Sequence, residues 1–273
     1  MKSLLRSSLL SAAVGGLTVV GVLLALGVTG RRTIRTVVDE GPLSASNTAT
    51  GLTPYDIYEE DAPGVVLVRA DVDQPVANPF ESSAGQQPGV STGSGFEVDS
   101  QGDILTNYHV IAGARSGGVS VEFEHGVTKV ARVVGEEPDE DLAILRVDAQ
   151  GLDLNPLELG DSATTRVGDP TLAIGDPFGL DRTLSSGIVS ALQRQITAPS
   201  GFAIDNVIQT DAPLDPTTSG GPLIDAAGLV IGVNSEIETS EGASGTVLVS
   251  FAIPINTVSA LLRRLRHVAV GSK

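Results

Sequence analysis

Short runs of β-branched and apolar residues, broken every few positions by Gly, Asp or Pro, govern what this chain can fold into. From Val65 onward VVLVRA, GFEVDS, ILTNYHV, GVSVEFEH, TKVARVVG, LAILRV, PTLAIG, SGIVSAL, VIQTD, GLVIGVN and TVLVSFAIP each read as a strand, about eleven in all. Their spacing is that of all-β sandwiches and barrels. The tripeptide QGD at 101–103 marks a turn between two of them. No segment after Val65 has a helical period until 254–266. There Val258, Leu261, Leu262 and Leu265 fall on one face, behind Pro254. The chain contains no cysteine, so no disulfide and no thiolate metal site can hold the sheets together. A packed core must do so, and a hydrophobic content of 41% suffices for one.

The residues before Val65 have a different character. Between Arg6 and Arg31 lie 24 uncharged residues, Ser7 to Gly30, with Leu9–Leu26 the most apolar part. A bilayer is crossed by about 20 apolar residues, so 1–30 reads as a membrane anchor. Ala25 and Gly27 stand at cleavage-compatible spacing, which keeps a cleaved signal segment as the alternative. Lys2 and Arg6 on one side nearly balance Arg31, Arg32 and Arg35 on the other, so flanking charge does not orient the span. Residues 31–53 have the composition of a flexible linker. Thr53-Pro54 is a helix start, with Thr as N-cap and Pro at the first helical position. Residues 76–91 have the turn chemistry of a surface loop.

Charge sorts the function classes. All 33 acidic residues lie in 36–262, together with only eight basic ones, giving that body a net charge of −25. Nucleic acid needs a basic face, so nucleic-acid binding is excluded as a general role. No nucleotide-binding glycine fingerprint, P-loop or metalloprotease helix occurs, and neither a metal nor a cofactor is called for.

Three residues in three strand contexts carry the chemistry. His109 ends ILTNYHV, Asp141 enters LAILRV, and Ser219 precedes Gly220, Gly221 and Pro222. His125 reads as a surface residue of a hairpin turn, and His267 as a solvated residue of the basic tail. The order His, Asp, Ser, at separations of 32 and 78 positions, requires a folded β scaffold to bring the three together. A hydroxyl nucleophile, an imidazole to take its proton and a carboxylate to fix the imidazole tautomer form one catalytic unit. Ser219-Gly220-Gly221 leaves room for substrate backbone beside the nucleophile.

LTNYHVIAGA, DEDLAILRV, AIGDPFGLDRTLSSGIVSAL, VIQTDAPLDPTTSGGPLID, GLVIGVNSEI and VSFAIPINTV together resemble the HtrA (DegP-like) serine proteases, from about Pro54 to Leu262. The resemblance implies two six-stranded antiparallel β-barrels of chymotrypsin type, here with an N-terminal transmembrane helix and a C-terminal helix. It divides the chain into an anchor or signal segment (1–30), a linker (31–53), a protease domain (54–266) and a basic tail (267–273). It implies His109 as general base, Asp141 as its orienter and Ser219 as nucleophile, with the amides of Thr217 and Ser219 as oxyanion donors. Val233, Asn234 and Ser235 would pair with substrate backbone as an added strand. Pro213, Leu214, Ile237, Phe251 and Ile253 would wall the pocket for the residue before the scissile bond, and a small or medium aliphatic side chain is expected there. The implied partners are unfolded proteins or peptides, the membrane through 7–30, and two further copies in a homotrimer through 54–66. The implied location is the cytoplasmic membrane with the protease domain outside, or secretion if the anchor is cleaved.

Three departures from the family pattern qualify these expectations. Thr217-Thr218 replaces the Gly-Asn usual before the nucleophile, and a β-branched residue resists the φ > 0 conformation that aims the amide into an oxyanion hole. A catalytically impaired peptide-binding module or chaperone is therefore the alternative function. Tyr108 replaces the Asn usual before the histidine. Only 11 residues follow Leu262, too few for the PDZ domain that family members commonly carry there.

Overall fold

The computed structural model describes residues 52–72, 89–176, 182–197, 201, 203–242 and 245–262. The expected anchor (1–30), almost all of the linker (31–53), most of the 76–91 loop and the basic tail lie outside the described residues. Among those described, no helix is long and apolar enough to cross a membrane.

The chain enters through helix α1 (Pro54–Asp61). Its start is the one its sequence announces. The Thr53 hydroxyl accepts from the Asp56 amide at 3.2 Å, and the Asp56 carboxylate accepts from the Thr53 amide at 2.9 Å. This reciprocal capping satisfies two orphan donors at the helix start. Ile57 is buried in the core, while Tyr55 is 68% exposed.

Two antiparallel sheets follow. The first uses β1 (Val65–Val72), β2 (Val90–Glu97), β3 (Asp103–Thr106), β4 (Ala114–Glu122), β5 (Thr128–Val130), β6 (Arg132–Glu137) and β7 (Leu142–Arg146). A single helical turn, α2 (Tyr108–Ile111), sits between β3 and β4. The expected QGD turn joins β2 to β3. Asp99 Oδ1 accepts from the Gln101 and Asp103 amides at 2.9 and 3.1 Å, and Gly102 takes φ +91°. The second sheet uses β8 (Pro170–Gly175), β9 (Thr183–Thr197), β10 (Ala203–Thr210), β11 (Pro222–Asp225), β12 (Val230–Gly242) and β13 (Gly245–Pro254). A closing helix, α3, covers 255–262 and buries Val258, Leu261 and Leu262, as its period required.

The expectation of two six-stranded barrels is corrected for the first sheet. The second sheet closes as β10-β13-β12-β11-β8-β9. The first has seven strands in the order β5-β4-β1-β2-β3-β7-β6 and is open by hydrogen bonding. The chain passes from β5 to β6 through the single residue Ala131, whose amide donates to Val119 O at 2.8 Å. That short link splits one long segment into two strands that pair at opposite edges of the sheet.

One buried cluster contains side chains from both sheets. Phe96, Leu105 and Ile144 of the first join Ile174, Val233 and Ile253 of the second, with Ile57 of α1 and Val258 of α3. Burying each such side chain contributes about 1.5–3 kcal/mol. Burial of this cluster from both sides fixes the edge along which the candidate site lies.

Candidate active site

β3 delivers the chain to Asn107, which starts α2, and α2 presents His109. From the other side, the turn at Pro138–Glu140 ends on Asp141 at φ 52°, in the left-handed region. Asp tolerates that region better than most residues. Asp141 is fully buried, and its Oδ2 lies 2.8 Å from His109 Nδ1. A carboxylate only accepts, so Nδ1 carries the proton. Asp141 Oδ1 accepts from the His109 amide at 2.9 Å. The Asp141 carbonyl accepts from the Tyr108 amide at 3.1 Å and from Asn107 Nδ2 at 2.9 Å. The Asp141 carbonyl is thus tied to both residues that precede His109, and its carboxylate to His109 itself.

Ser219 comes from the second sheet, at the end of a short 3₁₀ turn, Pro216–Thr218. It is 4% exposed. Its carbonyl accepts from the Ser94 amide of β2 at 2.8 Å. Gly220 has φ +90°, and a Cβ there would strike Ser94 O and Thr106 Oγ1 and come within 3.2 Å of Asn107 N. Glycine is required on both counts. The residue after Ser219 therefore packs against the residues that lead into α2. Ser235 Oγ of β12 donates to Asp141 Oδ2 at 3.2 Å. His109 and Asp141 are in direct contact, and the turn that carries Ser219 packs through Gly220 against the residues leading into α2.

The oxyanion donors expected at Thr217 and Ser219 are engaged inside the protein. Asp215 Oδ1 accepts from the Thr217 amide at 2.8 Å, from the Thr218 amide at 3.2 Å and from Thr217 Oγ1. The Ser219 amide closes the 3₁₀ turn onto Pro216 O at 3.4 Å. Thr217 is not among the residues with positive φ. The physical reason is the one the sequence suggests, since a β-branched residue avoids φ > 0. The Asp-Pro pair before it builds a capped turn instead, with Asp at the cap and Pro at the first helical position.

Two of the expected substrate-binding residues, Val233 and Asn234, are paired on both sides. Val233 pairs with Pro222 of β11 on one side and Ile253 of β13 on the other. Asn234 accepts from the Gly220 amide and donates to Gly221 O, both at 2.8 Å. The backbones of Val233 and Asn234 are therefore not open to a substrate strand. Beyond them the register with β13 shifts between Asn234 and Ile237, leaving Ser235 at a bulge past the last pairing with β11. Ile253 is fully buried and Phe251 is 6% exposed, both in the core cluster, because alternate residues of β13 face inward. Leu214 is buried in a second cluster with Ala212 and Leu223, and Pro213 is exposed. The Ile237 side chain lies outside those described. His125 is exposed, as expected, and His267 is outside the described residues.

Two contributors went unrecognised in the sequence. Asp215 was signalled by its Asp-Pro cap. Ser94 had only its place in a Gly-Ser-Gly run as a signal. Its hydroxyl donates to Thr217 O at 2.7 Å and accepts from the Asp176 amide at 2.9 Å, pinning the turn before Ser219 to the first sheet. At the far end of the same strand Glu97 is 1% exposed. Burial pushes its carboxyl up to about 7, against the opposing pull of the Asn155 amide and Arg182. Among the described residues no three His, Asp or Glu side chains gather as metal ligands.

The family model of a trypsin-like peptidase domain matches residues 93–233. Protease Do-like 1, chloroplastic, of Arabidopsis thaliana is 42% identical over 220 residues, which are 78% of this chain and 47% of that protein. Protease Do-like 5, chloroplastic, of the same plant is 40% identical over 214 residues, covering 74% of this chain and 66% of that one. A probable periplasmic serine endoprotease DegP-like of Pseudomonas fluorescens is 41% identical over 181 residues, covering 66% and 36%. The chain thus spans from about a third to two thirds of the length of these relatives. Among solved structures, an HtrA-type protease AlgW with tripeptide superposes with a TM-score of 0.63 at 32% identity, covering 78% of this chain and 63% of that one. The crystal structure of Deg5 superposes with a TM-score of 0.59 at 36% identity, covering 76% and 90%.

Proposed function

The chain belongs to the HtrA family of trypsin-like serine proteases, and from that premise we propose that it is a membrane-tethered serine endopeptidase that cleaves unfolded proteins. The observation that carries the chemistry is the contact between His109 Nδ1 and the fully buried Asp141 at 2.8 Å. With Nδ1 protonated, His109 Nε2 is the base. It takes the Ser219 hydroxyl proton as Oγ attacks the substrate carbonyl carbon. Collapse of the tetrahedral adduct breaks the C–N bond, and His109 returns the proton to the departing amine. Water then repeats the sequence on the ester and frees Ser219.

The oxyanion that forms on the way needs donors, and one such donor contributes about 2.7–4 kcal/mol. The Thr217 amide supplies it only after leaving Asp215. We read the arrangement described here as a resting form that a bound substrate opens. The substrate strand pairs at the bulge from Ser235 to Ile237, two residues beyond the expected position.

The 24 uncharged residues before Arg31 support a membrane tether, or secretion once the tether is cut; the placement of the protease outside the cytoplasmic membrane rests on the family resemblance alone. The exposed Tyr55 supports a homotrimer contact along 54–66.

The test treats the full chain in mild detergent with a fluorophosphonate probe and with unfolded casein, beside Ser219→Ala. Labelling and cleavage that vanish in Ser219→Ala are expected. An unlabelled parent that leaves casein intact overturns the endopeptidase reading and leaves the peptide-binding one. Resistance of the chain to alkaline extraction from membranes tests the tether.

A further inference from the structure

A cavity of about 590 Å³ opens on the first sheet, beside α2. That volume lies in the range of ligand pockets. It sits where the first sheet fails to close: β4 forms one wall, and the β5–β6 link at 130–133 forms another. Its floor holds the buried Ile111 and Val119, and its rim holds Val130 and Val133, which are 70% and 37% exposed. These two exposed valines give the concave surface an apolar rim that a ligand can cover.

Arg115, Arg132 and Arg146 line the cavity beside the carboxylate of Glu136, and Arg146 is already neutralised by Asp103 behind it. Arg146 spends two of its five N–H donors on Asp103, at 2.5 and 2.6 Å, which holds its fork in place. The body carries a net charge of −25, and here two exposed arginines, Arg115 and Arg132, stand with one carboxylate, Glu136, beside apolar surface. Tyr108 lines the cavity and is the residue before His109, so the cavity and the candidate active site share α2.

We propose that this cavity is an exosite for acidic segments of the protein substrate in which Asp or Glu alternate with aliphatic residues. The aliphatic side chains cover Val130 and Val133, and the carboxylates meet Arg132 and its neighbours. The outer edges of β5 and β6 offer backbone groups to an extended segment. The word substrate rests on the endopeptidase reading; the binding surface itself does not.

The experiment uses the full-length Ser219→Ala protein, so that nothing is cut. A fluorescent peptide of alternating Glu and Leu is titrated against it by anisotropy, beside a peptide of alternating Lys and Leu. The Glu peptide is expected to bind and the Lys peptide not. Arg132→Glu should weaken the Glu peptide roughly tenfold, as reversal of an interfacial charge does. Val130→Ser should weaken it by about threefold, and added salt should weaken it further. Both residues are exposed, and unchanged melting curves confirm that the variants fold. In the chain with Ser219 intact, Arg132→Glu should leave the fluorophosphonate labelling rate at the parental value. Absence of labelling in the parent, with binding retained, would sink the endopeptidase reading and leave the exosite standing. Equal binding of the two peptides, or a Glu peptide indifferent to Arg132→Glu, overturns the exosite.

Discussion

Asp215→Ala should accelerate the chemistry at Ser219, although Asp215 stands outside the triad. In the structure the Asp215 carboxylate holds the Thr217 amide at 2.8 Å, the Thr218 amide at 3.2 Å and the Thr217 hydroxyl. An N-cap of this kind contributes about 0.5–2 kcal/mol. The carboxylate is charged, which strengthens each bond, but it is also exposed, which weakens each one. A net of about 1–2 kcal/mol is left holding the amide inward. The backbone bond from the Thr218 amide to Asp215 O at 2.9 Å survives the substitution, so the turn loosens without unravelling. If the competent form is the minor one, its population rises by roughly 5–30-fold, since about 1.4 kcal/mol is a factor of ten. The assay is the rate of fluorophosphonate labelling at Ser219, followed beside a thermal melt. A labelling rate that is unchanged or lower in a folded Asp215→Ala protein would refute the reasoning. Thr217→Gly should act in the same direction by permitting φ > 0. The double variant should gain less than the product of the two, because both act on one amide.

Three further outcomes are expected. Glu97 holds its proton in the fold up to about pH 7, against an ordinary 4.5. Between those values the folded state binds more protons than the unfolded one, so this group makes stability fall as pH rises from about 4.5 to 7. Glu97→Gln should therefore stabilise the protein by on the order of 2 kcal/mol at pH 8 and by almost nothing at pH 4, as read from urea midpoints at the two pH values. Ser94→Ala removes both hydroxyl bonds that pin the turn before Ser219, at a cost of about 2 kcal/mol, and should lower the melting temperature by roughly 4–8 °C. Gly220→Ala meets both a positive φ and the Ser94 carbonyl; the protein should lose labelling even under conditions where its circular dichroism is native.

The strands and the contact of His109 with Asp141 were legible because each is local or carried by a dense motif. Runs of β-branched and apolar residues mark β1 and β13 wherever they pair, and a capping signature marks α1 without reference to the rest of the chain. What eluded the sequence depends on long-range register. Nothing between Thr128 and Glu137 announces that the strand splits at Ala131 and sends its halves to opposite edges, leaving the first sheet open. The bulge at Ser235 likewise follows from the close approach of Gly220 and Gly221 to Asn234. That approach moves the open backbone two residues beyond Val233. Phe251 and Ile253 read equally well as pocket wall or core, because an inward-facing strand position has the same residue type in either case. Asp215 went unread although Asp-Pro is a capping pair, because the amide it captures is evident only in three dimensions.

The bond from Ser235 to Asp141 has a consequence for the order in which the site comes into being during synthesis. His109 and Asp141 leave the ribosome early, with the first sheet, whereas Ser219 and the Ser235 hydroxyl that reaches back to Asp141 emerge 78 and 94 residues after Asp141. The glycine that wedges against Thr106 arrives with them. A nascent or truncated chain ending before Ser235 therefore carries an imidazole and a carboxylate with neither nucleophile turn nor third anchor fully in place. The growing chain has no working blade to turn on itself or on its neighbours until its second sheet is nearly complete.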